Sequence, residues 1–169
     1  EIKKGFNLIV LRINIDIPWN QPEANNFGIF HANNDFIFRT DIDHFLPESE
    51  LKNLLQELPN LPKNTVFFPT NRFSLSENNT INQHVNTFII RKTEYFKVNG
   101  FNEFFSKSYG SDDRDFYSRL KTMFQIQSLD NVTPHVNKND STQSLSRDDT
   151  QGKSKLNQHD RPHLMFQHA

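Results

Sequence analysis

Residues 36–43 read Phe36-Ile37-Phe38-Arg39-Thr40-Asp41-Ile42-Asp43, an aromatic run followed by two carboxylates in alternate positions. From Asp35 to Arg39 the run is short and nearly continuous, as a strand covered on both faces should be. Asp41 and Asp43 then stand at the strand's carboxyl end, where open α/β sheets place their ligands. Alternate strand residues point the same way. Paired oxygen donors of this charge suit Mg²⁺ or Mn²⁺, ions that bridge a diphosphate. The structural alternative is two solvated loop acids, or a cap ahead of the next helix.

That helix is the clearest in the chain. Leu51, Leu54, Leu55 and Leu58 fall at i, i+3, i+4 and i+7, Pro47 suits the first turn and Pro59 ends it. Upstream, residues 7–13 form an apolar run with strand-like residues, and 23–33 fit a short helix with Phe27, Phe30 and His31 at helical spacing. Downstream, Thr65 to Phe68 reads as a strand and the polar stretch through Glu77-Asn78-Asn79 as a loop. Val85 to Ile90 reads as another strand, followed by a helix from Thr93 to Val98 that ends at Asn99-Gly100. A last helix runs from Asp113 to about Phe124. Alternating strands and helices predict an α/β layer architecture. The patterned part spans 1–136; residues 137–169 are a polar tail or connector, with a short terminal element around Leu164-Met165-Phe166.

Composition narrows the class. At 169 residues the chain fits one domain, and 17 Phe supply much of its core. A formal charge of −1 provides no basic footprint for nucleic acid. Cysteine is absent, which removes disulfides and thiolate metal sites and is compatible with a reducing compartment. No apolar run reaches the roughly 20 residues of a membrane helix. The start, Glu1-Ile2-Lys3-Lys4-Gly5-Phe6, lacks a signal-peptide pattern, so a cytoplasmic location is expected.

A second acidic cluster, Asp112-Asp113, opens the last helix behind Tyr109-Gly110-Ser111. Acids in a first turn complement the helix dipole, which accounts for one of them more easily than for both. Two close carboxylates repel, which raises one pKa and suits it to act as a base. Asp115 and Arg119 form an i, i+4 pair of structural character. Of seven histidines, His135 is the favoured ligand, in Val132-Thr133-Pro134-His135-Val136; an ordinary half-buried strand histidine is the alternative. His44 follows Asp43 directly, but adjacent strand residues alternate in direction, so it need not share that metal.

The stretch Trp19-Asn20 through Ala24, Asn26 and Gly28, with Phe36-Ile37-Phe38, Asp41-Ile42-Asp43 and Pro47, resembles the central segment of β-1,4-galactosyltransferases and related GT-A glycosyltransferases. Residues 88–120, FIIRKTEYFKVNGFNEFFSKSYGSDDRDFYSRL, resemble their second signature. Both occur in the right order over about residues 15–135. The resemblance implies a GT-A-like, Rossmann-related mixed sheet flanked by helices, as a partial domain. The family's first strand-helix-strand would precede Glu1, so the chain is expected to be the catalytic part of a longer protein.

The implied activity is metal-dependent, inverting transfer of a hexose, galactose or N-acetylgalactosamine, from a UDP-sugar to a glycan hydroxyl. By resemblance Asp43 holds Mn²⁺ or Mg²⁺, and Asp41 lies near the donor's ribose and sugar. Asp113 is the base, Asp112 holds the acceptor, Tyr109 sits on a loop over the sugar and Trp19 lies by the nucleotide base. His135 is the further metal ligand if the intervening loop is short; another alignment sets Ser146-Arg147-Asp148 there. Ser111 stands where the family has the second Gly of a pair, and Asp112 where it has Glu, so a reshaped acceptor pocket is expected. The rival readings are a carbohydrate-binding or degenerate transferase module and, less favoured, metal-dependent phosphoryl transfer.

Overall fold

The computed structural model of the protein describes residues 8–12, 14, 20–106 and 110–137. Trp19, Tyr109, Ser146-Arg147-Asp148 and nearly all of the polar tail lie outside them. In chain order the elements begin with α1 (Gln21–His31), β1 (Phe36–Arg39), β2 (His44–Phe45), α2 (Glu48–Glu57), β3 (Thr65–Pro69) and β4 (Asn71–Ser74). They continue with β5 (Asn79–Asn82), β6 (Phe88–Arg91), α3 (Lys92–Lys97), α4 (Asp112–Met123), β7 (Gln125–Leu129) and β8 (His135–Val136). A 3-10 turn at Leu58–Asn60, carrying Pro59, closes α2 as its sequence predicts.

The strands form two mixed sheets. The first has the order β1-β6-β3-β7, with β6 antiparallel to both neighbours and β3 parallel to β7. Its central strands are apolar on both faces. Val66, Phe68, Phe88 and Ile90 join Ile29, Tyr95, Phe101, Phe116 and Leu120 on the face covered by α1, α3 and α4. Phe67 and Ile89 turn the other way and meet Leu54 of α2 with Leu129 and Val132. The alternation of side chains along each strand thus builds two cores from one sheet. The second sheet has the order β2-β8-β4-β5 and adjoins the acidic turn after β1. Two mixed sheets flanked by helices give the mixed α/β architecture that a GT-A-like domain requires.

Some expectations change. Residues 8–12 take no regular structure, and Leu8, Ile9 and Val10 are exposed. An apolar run becomes a strand only where a sheet edge pairs with it. The polar stretch read as a loop is a hairpin, β4 paired with β5 from Asn71↔Asn82 to Ser74↔Asn79. Its strands lack the apolar alternation that marks a half-buried strand, and the same holds for β7. On α2 only Leu54 is buried, while Leu51 and Leu55 face solvent. On α1 the buried residues are Pro22 and Ile29, and Phe27 and Phe30 are exposed. Among the described residues no helix is long and apolar enough to cross a membrane.

Candidate active site

β1 alternates in burial, so Arg39 follows Ile37 onto the buried face and is only 8% exposed. A buried guanidinium needs acceptors. Its Nη1 donates to Asp41 Oδ1 at 2.7 Å and to the Asn86 carbonyl at 2.6 Å. The chain then turns, the His44 amide donating to the Asp41 carbonyl at 3.1 Å, and Ile42 at the tip is fully exposed. Asp43, half exposed, accepts through Oδ1 from His44 Nδ1 at 2.8 Å. His44 is buried, and its Nε2 faces Arg72 Nη1 at 2.9 Å. Arg72 also donates from Nε to the Asn82 carbonyl at 2.9 Å. Burial works against the Arg72 charge and lowers its pKa, while Asp43 and Asp41 pull the other way.

His84 connects this turn to the other acidic pair. Its Nδ1 lies 3.4 Å from Asp41 Oδ2 and accepts from the Asn86 amide at 3.3 Å. Burial lowers its pKa; Asp41 and Asp113 oppose that shift, and Arg72 and His44 add to it. That lowering works against a charged pair with Asp41.

α4 begins behind two left-handed residues, Gly110 at φ +87° and Ser111 at φ +72°. Glycine tolerates that conformation and serine is strained by it. The turn aims Asp112 inward, at 4% exposure, and leaves Asp113 half-buried. Burial raises the Asp112 pKa and Asp113 adds to that rise, against the amides of residues 112 and 113 and the Arg39 charge. Asp113 Oδ1 accepts from the Arg114 amide at 2.7 Å. An open pocket of about 330 Å³ is lined by Gln21, Asn86, Gly110, Ser111, Asp112, Asp113 and Arg114. Asn86 is the shared element, lining that pocket while its carbonyl holds the guanidinium that holds Asp41.

Asp41, Asp43 and His44 each offer one ligand atom, all within 4.8 Å of one another. Two carboxylates on an exposed turn are a hard donor set that fits Mg²⁺ or Mn²⁺. His135 is not in that group. In register His44 pairs with Val136 and Phe45 with His135, which sets the two histidines on opposite faces of the second sheet. The His135 ring packs against Phe45 at 5.6 Å and Phe73 at 5.1 Å between centroids. The Asp115–Arg119 pair is structural, as expected: Arg119 contacts Asp115 at 2.8 Å and donates to the carbonyls of Val98 and Gly100.

Residues 77–139 match the family model of the N-terminal domain of galactosyltransferase. The chain resembles the galactosyltransferases. A search of curated proteins finds no match to it. The galactosyltransferase-like segment covers less than half of the chain. It contains His84, Asn86, Asp112, Asp113 and His135 and runs through β5 to β8, while Asp41 and Asp43 lie ahead of it. A domain of this kind supports a glycosyltransferase.

Sequence reasoning missed Arg39, Arg72, His84 and Asn86. An arginine inside an aromatic strand one residue from an acidic turn was a legible signal for Arg39. Arg72 and His84 carry none, since their partners His44 and Asp41 are distant in sequence and meet them only in the folded chain.

Proposed function

We propose that the chain is the catalytic part of a metal-dependent, inverting glycosyltransferase. It would move a hexose, galactose or N-acetylgalactosamine, from a UDP-sugar to a glycan hydroxyl. The observation that carries this reading is the link between the two carboxylate pairs: Asn86 lines the pocket with Asp112 and Asp113, while its carbonyl accepts from the Arg39 guanidinium that also holds Asp41.

Asp43 would hold the divalent cation through the oxygen that His44 leaves free, with Asp41 beside it toward the donor. A bound Mn²⁺ or Mg²⁺ offsets the charge that develops on a departing diphosphate. We leave His135 outside the set, because its ring lies in an aromatic row. Asp113 lines the pocket and is the more accessible of its pair, which suits it to take the acceptor hydroxyl proton. The deprotonated oxygen attacks the anomeric carbon from the face opposite the diphosphate. The bond to the diphosphate breaks, UDP leaves and the centre inverts. Asp112, buried behind it, would hold the acceptor. Trp19 and Tyr109 would serve the nucleotide base and the sugar.

The test is transfer by the full chain with Mn²⁺, a UDP-hexose and a panel of glycans, with the product linkage read by NMR. An α-linked donor should give a β-linked product, and Asp113→Asn should lower turnover roughly 10²-fold or more. An α-linked product contradicts inversion. Unchanged turnover in Asp113→Asn removes it as the base.

A further inference from the structure

We infer that His44 is a positioning residue for Asp43, held in that role by Arg72, and not a ligand of the cation. The inference rests on the metal-dependent reading above and deepens it. A guanidinium has only donors. The atom that faces Arg72 Nη1 at 2.9 Å, His44 Nε2, must therefore present its lone pair. The single ring proton is left on Nδ1, and Asp43 Oδ1 is there to accept it at 2.8 Å. Both nitrogens are then occupied, one as acceptor and one as donor, and no lone pair remains for a metal.

The ring has little freedom to change that assignment. Its side chain is 3% exposed, and Arg72 is itself pinned by the Asn82 carbonyl. Arg72 and Asn82 come from the two strands of the β4–β5 hairpin, which thereby sets a fixed donor beneath the acidic turn. Above the ring, Asp43 keeps half its surface in solvent, with one oxygen tied and one free. A carboxylate locked by one oxygen offers the other to a hard cation at lower ordering cost. Such supporting hydrogen bonds typically shift metal affinity 10–100-fold.

Two measurements on the full chain test this. In metal-free protein at neutral pH, ¹⁵N spectra of the imidazoles should find His44 protonated on Nδ1 and bare on Nε2. The reverse pattern, or a doubly protonated ring, overturns the inference. Binding of Mn²⁺ alone, followed by electron paramagnetic resonance, supplies the second. His44→Leu should weaken it about tenfold or more. His44→Asn, whose amide nitrogen stands where Nδ1 stands, should stay within about threefold of the wild type. Circular dichroism melts establish that each variant is folded, and the asparagine variant carries the test if the leucine variant is not. Nitrogen coupling to Mn²⁺ that is present in the wild type and lost in His44→Asn would make His44 a ligand and overturn the inference. Full Mn²⁺ affinity in folded His44→Leu overturns it while leaving the metal-dependent reading intact. A wild-type chain that binds no Mn²⁺ sinks both.

Discussion

Two polar regions flank the first sheet, and they are built on opposite rules. Asn26 uses every valence of its amide. Its Nδ2 donates to the Phe101 carbonyl at 2.9 Å and to Glu103 Oε1 at 2.8 Å. Its Oδ1 accepts from Tyr95 Oη at 2.5 Å and from the Phe101 amide at 2.8 Å. The knot ties α1 to the turn after α3, where Asn99 and Gly100 both have φ near +60° and a Cβ on Gly100 would collide with Asn26. Around the acidic residues, polar groups are left short. Arg39 Nε is buried without a partner among the described residues, the Asp112 carboxylate is disfavoured by burial, and Ser111 holds a strained φ. Saturated polar groups fix a shape. Short-handed ones, gathered at a pocket, are what a ligand completes.

Breaking the saturated side should have the largest effect. Asn26→Ala strands the Phe101 carbonyl and leaves the Tyr95 hydroxyl and the Phe101 amide only their own 3.3 Å contact, in a buried setting. A loss of about 3 kcal/mol in urea denaturation follows from the cost of unpaired buried polar groups. A loss below about 1 kcal/mol would mean that water replaces the side chain, and the contrast between the regions would weaken.

Ser111→Gly sharpens the strained side. It should stabilise the fold by about 1 kcal/mol, because glycine adopts the left-handed conformation without the Cβ penalty. Activity should not rise in step, since the turn also aims Asp112 and Asp113. A destabilised Ser111→Gly would show that serine contributes a contact there worth more than its strain.

The smallest effect concerns His84, whose ring is about one third exposed at 36%. Burial holds its folded pKa below 6.5, the unfolded value, so the unfolded chain binds the proton more readily. Stability from this group is whole above 6.5 and is lost as pH falls from there through the folded pKa. Denaturation curves at pH 7 and pH 5 should differ less in His84→Gln than in the wild type. An equal or steeper acid loss in the variant would assign the effect to other groups.

Much of the first sheet was legible because its signals are local. Phe36 to Phe38, Thr65 to Phe68 and Phe88 to Ile90 announce strands by apolar content, and the Leu51–Leu58 spacing announces a helix; the strand read from Val85 begins only at Phe88, because Val85 and Asn86 form a turn. The second sheet was not legible. Asn71-Arg72-Phe73-Ser74 and Asn79-Thr80-Ile81-Asn82 are polar, and only their pairing with each other and with β8 makes them strands. The acidic residues of the site were legible through the resemblance, whereas their supports were not. His44 was set apart from the metal turn by the alternation rule for strands. Asp43 lies in a turn before β2, where that rule does not hold, so the two side chains meet.

The most direct measurement is calorimetry of UDP binding with and without Mn²⁺, in the wild type, Asp43→Asn and Asp113→Asn. If Asp43 bridges the diphosphate through a cation and Asp113 serves the incoming hydroxyl, Mn²⁺-dependent UDP binding is lost in Asp43→Asn. In Asp113→Asn it is retained while transfer falls. Loss of UDP binding in Asp113→Asn with retention in Asp43→Asn would contradict this division of labour between the two carboxylate pairs.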